Sequence, residues 1–208
     1  MGVIRTEVIS IKEHGVVQKA KRVLESGGVV AFPTDTVYGI GAVYSNPAAV
    51  LKLYRAKERP GDKAIPILGA DQEAFTEVAL GFNQAALLLA EAFWPGPLTL
   101  LVKRSLSVPV EVTSFATVAI RVPDLEFTRE LLSVCGPLAV TSANLSGGES
   151  PCTAQEVTAD LDGRVDLILD GGQTPGGVSS TVLDCTQEKP VLLREGPVSI
   201  AAIEKILE

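Results

Sequence analysis

The chain has 208 residues, 46% hydrophobic and 21% charged, enough to bury one sizeable core and without the polar tracts of a disordered protein. A formal net charge of −7 argues against broad, non-specific nucleic-acid binding, which depends on neutralising phosphates, although local basic clusters remain possible. The single histidine, His14, and three scattered cysteines, Cys135, Cys152 and Cys185, exclude a histidine-rich metal site and the CxxC spacing of zinc or redox centres, and leave only His14 for a Ser-His-Asp triad.

No apolar run approaches the ~18 residues of a membrane span. The N-terminus, MGVIRTEVIS, has no signal-peptide core, so a reduced, cytoplasmic protein without membrane contact is expected. Met1-Gly2 with Thr6 fits the loose myristoylation pattern, which is short and common by chance.

In chain order, Val16, Ala20, Val23 and Leu24 follow helical spacing between Glu13 and Ser26, with Gly27 placed to end the helix and His14 as a solvated residue near its start. Val29 to Phe32 reads as a short strand buried on both faces, and Pro33 ends its ladder. Thr34-Asp35-Thr36 with Tyr38 then places three hydroxyls and one carboxylate where open α/β sheets bind ligands. The same residues also suit an Asx or ST turn that satisfies only local backbone groups. A pair of glycines, Gly39 and Gly41, closes the stretch.

Asn46-Pro47 predicts a capped helix running through about Lys57. At 100° per residue Val50, Leu53, Tyr54 and Lys57 share one face, so an ammonium group extends the buried side. The segment Arg55 to Lys63 is basic, with Pro60-Gly61 as the stop signal. Its cations either complement the helix C-terminus in solvent or aim charge at phosphate or carboxylate oxygens.

Ala64 to Leu68 reads as a strand, with Pro66 favouring an edge or bulged position. A helix is expected from Asn83 to Phe93, ending at Trp94-Pro95-Gly96-Pro97 and feeding a strand from Leu98 to Val102. Trp94 suits a core wedge at that turn or stacking on a base. In the strand Val118 to Pro123, Arg121 faces solvent or an anion. Phe127 to Cys135 looks helical and Leu138 to Val140 extended.

Thr141-Ser142-Ala143-Asn144-Leu145-Ser146-Gly147-Gly148 then follows a strand directly, as a loop presenting hydroxyl, amide and N–H groups to phosphate would. It lacks the lysine and spacing of a Walker A loop and the glycine spacing of a dinucleotide fingerprint. Thr153 to Glu156 has the capping-box pattern of a helix ending near Leu161. Leu167 to Asp170 is a strand, Gly171 to Gly177 a flexible loop, and Ser179-Ser180-Thr181 leads into a strand through Asp184. Val191 to Arg194 is the last strand, and Ser199 caps a terminal helix.

Strands and helices interleave, so the class is α/β. The brief connection between Thr181 and Arg194 leaves no room for a helical crossover and makes the sheet mixed. Neither an internal repeat nor a linker is visible, and residues 1–208 read as one domain.

Eight ordered segments carry a resemblance: Phe32 to Ala42 (FPTDTVYGIGA), Lys57-x-Arg59, Phe93 to Leu100 (FWPGPLTL), Val118 to Asp124 (VAIRVPD), Thr141 to Gly147 (TSANLSG), Leu167 to Gly172 (LILDGG), Ser179 to Asp184 (SSTVLD) and Leu192 to Gly196 (LLREG). Over nearly the whole chain they resemble the YrdC-type threonylcarbamoyl-adenylate synthases. The resemblance implies a twisted, mixed parallel and antiparallel open sheet with flanking helices around a basic concave cavity. It implies a reaction of L-threonine, bicarbonate and ATP; phosphate sites often hold Mg²⁺ with few protein ligands, so Mg²⁺ carried by ATP is expected, with no protein metal ligand assigned. The product would supply transferase machinery that threonylcarbamoylates adenosine in tRNA.

By the same resemblance Thr36, Arg121, Ser142 and Ser180 would surround threonine. Lys57, Arg59, Lys63, Thr117, Asn144, Cys152 and Arg194 would lie along the nucleotide, with Lys57, Arg59, Ser142 and Asn144 acting in catalysis. Two positions depart from the family pattern: Cys152 stands where a hydroxyl residue is usual, and Leu68 where a histidine near threonine is common. Some relatives carry a further C-terminal domain, for which no room is expected after Arg194. Lys57→Ala or Arg59→Ala is expected to lower turnover by orders of magnitude with the fold intact. The other readings are a double-stranded RNA-binding module and a paralogue with another acceptor, acting in carbamoyl transfer or nucleotide hydrolysis, and contact with tRNA or double-stranded RNA is left open.

Overall fold

The computed structural model describes residues 5–61 and 63–208. Met1 and Gly2 of the acylation pattern, and Asp62 of the basic segment, lie outside the described residues. The chain runs β1 (Glu7–Ser10), α1 (Val16–Glu25), β2 (Val30–Phe32), β3 (Gly39–Val43), α2 (Pro47–Lys57), β4 (Ile67–Leu68), α3 (Gln84–Phe93), β5 (Leu98–Lys103) and β6 (Thr117–Arg121). It continues through α4 (Glu126–Cys135), β7 (Leu138–Ser142), α5 (Ala154–Leu161), β8 (Leu167–Asp170), β9 (Thr181–Asp184), β10 (Val191–Arg194) and α6 (Ile200–Leu207).

Helix boundaries follow local chemistry. Asn46, Asn83 and Ser199 each accept a backbone N–H three residues on, and Thr153 with Glu156 completes the capping box of α5. Gly27 adopts φ 76° after α1, in the left-handed region open to glycine.

The strands form one open sheet in the order β1-β8-β2-β3-β7-β4-β6-β5-β9-β10. The neighbours β1–β8, β2–β8, β4–β6 and β5–β9 are parallel and the rest antiparallel, the mixed arrangement expected. Two strands were not legible in the sequence. β1 is short and mostly exposed. β3 begins on the glycine pair, and those glycines are required by packing: a Cβ on Gly39 would stand 2.7 Å from Val140 Cγ1, and one on Gly41 2.8 Å from Phe32 Cε1.

One expectation is corrected. Pro66 does not mark an edge, because β4 lies between β7 and β6 in the middle of the sheet. Pro66 precedes the two-residue strand, where its missing N–H is not needed, and its carbonyl still accepts from Val140 N at 2.8 Å.

Alternation along the strands builds two cores. Val30, Phe32, Leu138, Val140, Leu167 and Leu169 pack against Val16, Ala20 and Leu24 of α1 and Leu131 and Leu132 of α4. Ala31, Ile40, Ala139 and Ile168 face the other way, toward α2, α3, α5 and α6. No residue of β5, β6, β9 or β10 joins the α1/α4 core. On that side four of the ten strands therefore lack a helical cover among the described residues. Trp94 is core, not a stacking platform: its indole lies 5.6 Å from Phe75 and 6.2 Å from Phe82, and its N–H donates to Leu98 O at 2.7 Å. Among the described residues no helix is long and apolar enough to cross a membrane.

Candidate active site

A cavity of about 280 Å³ opens where the uncovered strands meet β3, β4 and β7, at the small end of small-molecule sites. The strand pleat decides which side chains reach it. On β6, Val118 and Ile120 enter the core beneath, which turns Thr117, Ala119 and Arg121 to the open face. On β5 the same alternation turns the buried Thr99 toward the cavity, and just before β9 Ser180 lies on its lining as well. The turn after β2 adds Thr34 and Thr36, β7 adds Thr141 and Ser142, β10 adds Arg194, and the chain past α2 adds Arg59. Val37, Leu68 and Val140 supply an apolar wall.

Arg121 is 5% exposed, with three of its five N–H groups engaged. Its Nε donates to Gly96 O at 3.0 Å, Nη1 to Thr36 Oγ1 at 3.0 Å, and Nη2 to the Asp35 carboxylate. Burial pulls its pKa down, and Asp35 acts in the opposite direction. The guanidinium has five N–H groups, so two remain for an anion. The turn is ordered with equal economy. Thr34 spends its proton on Val37 O at 2.7 Å, so the 2.9 Å contact between Thr34 Oγ1 and Thr36 Oγ1 is donated by Thr36. Thr36 Oγ1 then has one lone pair free for a ligand N–H or O–H.

Across the cavity, Arg194 donates through Nε and Nη2 to Ser180 O at 3.0 and 2.8 Å and to Ser180 Oγ at 3.1 Å. Ser180 Oγ also meets Thr99 Oγ1 at 2.8 Å. Partial burial lowers the Arg194 pKa, and the charge of Arg121 lowers it further. Arg59 is aimed by a left-handed residue, Glu58 at φ 52°, which ends α2 and redirects the chain; its Nη2 donates to Ala64 O at 3.0 Å. Among the described residues three guanidiniums thus line the cavity, with the Asp35 carboxylate bound to Arg121, an electrostatic setting that favours an anion.

Of the residues expected at the site, Thr36, Arg59, Arg121, Ser142, Ser180 and Arg194 line this cavity. Lys57 and Asn144 stand behind its wall. Lys57 is 1% exposed, and its ammonium donates to Ser142 O, Asn144 O and, at 3.3 Å, Asn144 Oδ1. Asn144 Nδ2 in turn donates to Leu145 O at 2.7 Å and Gly148 O at 2.9 Å. Lys63 is exposed, and its carbonyl accepts from Tyr54 and Arg59. Cys152 lies in the loop before α5, with its N–H on Glu156. Thr117 shares the open face with Arg121, four residues away and so about 13 Å along the strand. Thr34 lines the cavity and Asp35 binds Arg121 beside it, in the turn already read as a ligand-facing stretch, and Thr99 is added by the structure. Thr99 had one weak sequence signal, a hydroxyl among apolar strand neighbours.

The glycine-rich loop 171–177 is tied down at several points. Tyr38 OH donates to Gly172 O at 2.7 Å and accepts from Gly171 N at 3.0 Å, while Gly177 N reaches Thr36 O at 2.8 Å. A Cβ on Gly176 would stand 2.6 Å from Asp35 O and 3.1 Å from Thr36 Cα. Both obstacles are backbone. Gly176→Ala is expected to destabilise the fold by about 1–3 kcal/mol through this overpacking, read as a lower urea midpoint. An unchanged midpoint would mean that the loop yields freely.

Comparison with known proteins matches residues 22–196 to the Sua5/YciO/YrdC family model, described as "Telomere recombination". The chain is 40% identical over 207 residues to a threonylcarbamoyl-AMP synthase of Pyrococcus abyssi, covering 97% of this chain and 61% of the relative. It is 42% identical over 205 residues to the Bacillus subtilis protein of the same name, covering 97% and 59%. The solved structure of P. abyssi Sua5 complexed with L-threonine superposes with a TM-score of 0.91 at 39% identity, over 99% of this chain and 61% of that one. The chain therefore spans about three-fifths of the length of these relatives. Every residue that lines the cavity, from Thr34 to Arg194, falls inside the matched segment, and the chain belongs to the Sua5/YciO/YrdC family.

Proposed function

We propose that this chain is a threonylcarbamoyl-AMP synthase, and that the cavity holds L-threonine beside ATP. The observation that carries this reading is Arg121, whose two spare N–H groups and neighbouring Thr36 acceptor match the carboxylate and the amine or hydroxyl of an α-amino acid. Leu68, Val37 and Val140 offer an apolar wall to the threonine methyl group. Bicarbonate condenses with the amine, releasing water, and one oxygen of the resulting carbamate attacks the α-phosphorus of ATP. Pyrophosphate leaves, and threonylcarbamoyl-AMP remains for a transferase acting on tRNA.

Every species in that sequence is an anion or becomes one, so the protein's work is to hold like charges in line and neutralise what develops. Arg59 and Arg194 are placed for this, with the nucleotide extending over the open face toward Thr117. Among the described residues no group of three or more His, Cys, Asp or Glu side chains is arranged to hold a metal ion. Mg²⁺ bound to ATP would supply further neutralisation of the phosphate charge, alongside Arg59 and Arg194.

The test is pyrophosphate release from ATP with L-threonine and bicarbonate together and with each omitted. Release that needs both is expected. Release indifferent to threonine would assign the cavity to another acceptor.

A further inference from the structure

Asp160 sits in the last turn of α5, the end of a helix where a carboxylate is disfavoured by the dipole. It is half-buried and, among the described residues, forms no ion pair within 4 Å. Its partner is instead the backbone of the loop after β7: Oδ2 accepts from Leu145 N at 3.0 Å. The same loop is gripped by Lys57, whose ammonium holds Ser142 O, Asn144 O and Asn144 Oδ1, and whose own carbonyl accepts from Ser146 N at 2.8 Å. Thr141 and Ser142 face the cavity, so the loop has a site side and a braced side. All the contacts of Lys57, Asn144 and Asp160 described above lie on the braced side.

We propose that Asp160 is a positioning residue: with the buried Lys57 and Asn144 it forms a brace that holds the loop from Ser142 to Gly148 so that Ser142 keeps its place in the cavity. The brace rests on the synthase reading only for its effect on turnover. Two charged groups act on the Lys57 ammonium: Arg59 opposes its charge and Asp160 supports it. A neutral amine has two N–H groups and a lone pair, and would turn that pair toward one of three acceptor oxygens, loosening the loop. Asp160 therefore acts twice, as an acceptor for Leu145 and as the counter-charge that keeps the third Lys57 proton in place.

The two roles separate by mutation. Asp160→Asn keeps an oxygen for Leu145 N–H and removes the charge; Asp160→Ala removes both. In the full chain, hydrogen–deuterium exchange needs no substrate. Asp160→Ala is expected to speed exchange at Leu145 and Ser146 by about tenfold, the loss of one hydrogen bond, with the rest of the chain protected as before. Turnover in pyrophosphate release falls about 10- to 100-fold while KM for ATP changes little, the pattern of a misplaced catalytic loop. Asp160→Asn restores most of the protection but moves the alkaline limb of the kcat/KM profile to lower pH.

Unchanged exchange at Leu145 in Asp160→Ala would overturn the brace, as would faster exchange spread over the whole chain in both variants. If exchange rises locally while the wild-type protein shows no threonine-dependent release, the brace stands and the synthase reading falls.

Discussion

Arg121→Leu is expected to lower kcat/KM for threonine by about 10³-fold, because two charge-assisted hydrogen bonds to a carboxylate are each worth about 1.5–3 kcal/mol. The same change should destabilise the fold. Asp35, whose side chain is 9% exposed, would lose its cation, and removing one partner of a buried pair costs about 3–5 kcal/mol. Arg121→Lys is not expected to rescue activity, since one ammonium cannot reach Gly96 O, Thr36 Oγ1 and Asp35 together and still face a ligand. Asp35→Asn added to Arg121→Leu separates the two effects: the unfolding midpoint should recover in large part while threonine-dependent pyrophosphate release stays lost. Near-normal release by Arg121→Leu would remove Arg121 from substrate binding.

The second large effect is at Lys57. Lys57→Met is expected to lower turnover about 10²-fold by releasing the loop that carries Ser142. It should not leave the fold untouched, as an exposed phosphate ligand would. Ser142 O and Asn144 O would lose their charged donor inside the wall, at a cost of about 1–3 kcal/mol near neutral pH. Burial pushes the Lys57 pKa down to about 8 from 10.5, with the Arg59 charge adding to the fall and Asp160 opposing it. Between those values the unfolded chain binds more protons at this position than the folded one. The contribution of Lys57 to stability therefore rises as pH increases from about 8 toward 10.5. Paired urea titrations of the wild-type protein and Lys57→Met should diverge across that window. Parallel curves would mean that the lysine is hydrated.

How much of this was legible beforehand depends on the range over which each feature is decided. Capping at Asn46, Asn83, Thr153 and Ser199 involves atoms within one helical turn, and the sequence patterns there correspond to the observed helix starts. The burial of Lys57 was legible for the same reason, because 100° spacing alone puts it beside Val50 and Leu53. Thr36 could be placed near a ligand because it sits in the turn after a buried strand, where open sheets bind ligands, whereas Arg121 read equally as solvent-facing or anion-facing and only the family resemblance put it at threonine.

Long-range pairing decided the rest. The acceptors of Lys57 lie 85 and 87 residues further along the chain, and only the antiparallel pairing of β3 with β7, together with the position of α2 on β3, brings them to its ammonium. Glycines make poor strand residues locally, yet Gly39 and Gly41 form β3 because Phe32 and Val140 leave no room for a Cβ. Pro66 reads as an edge or bulged residue, yet it precedes a central strand and is tolerated there because only Ile67 and Leu68 of that segment pair. Composition, periodicity and caps thus settled which segments are helices and which residue types could meet an anion. The sheet order settled which side of the loop each cation occupies, because a strand's neighbours are chosen by side-chain packing across distances that no local pattern encodes.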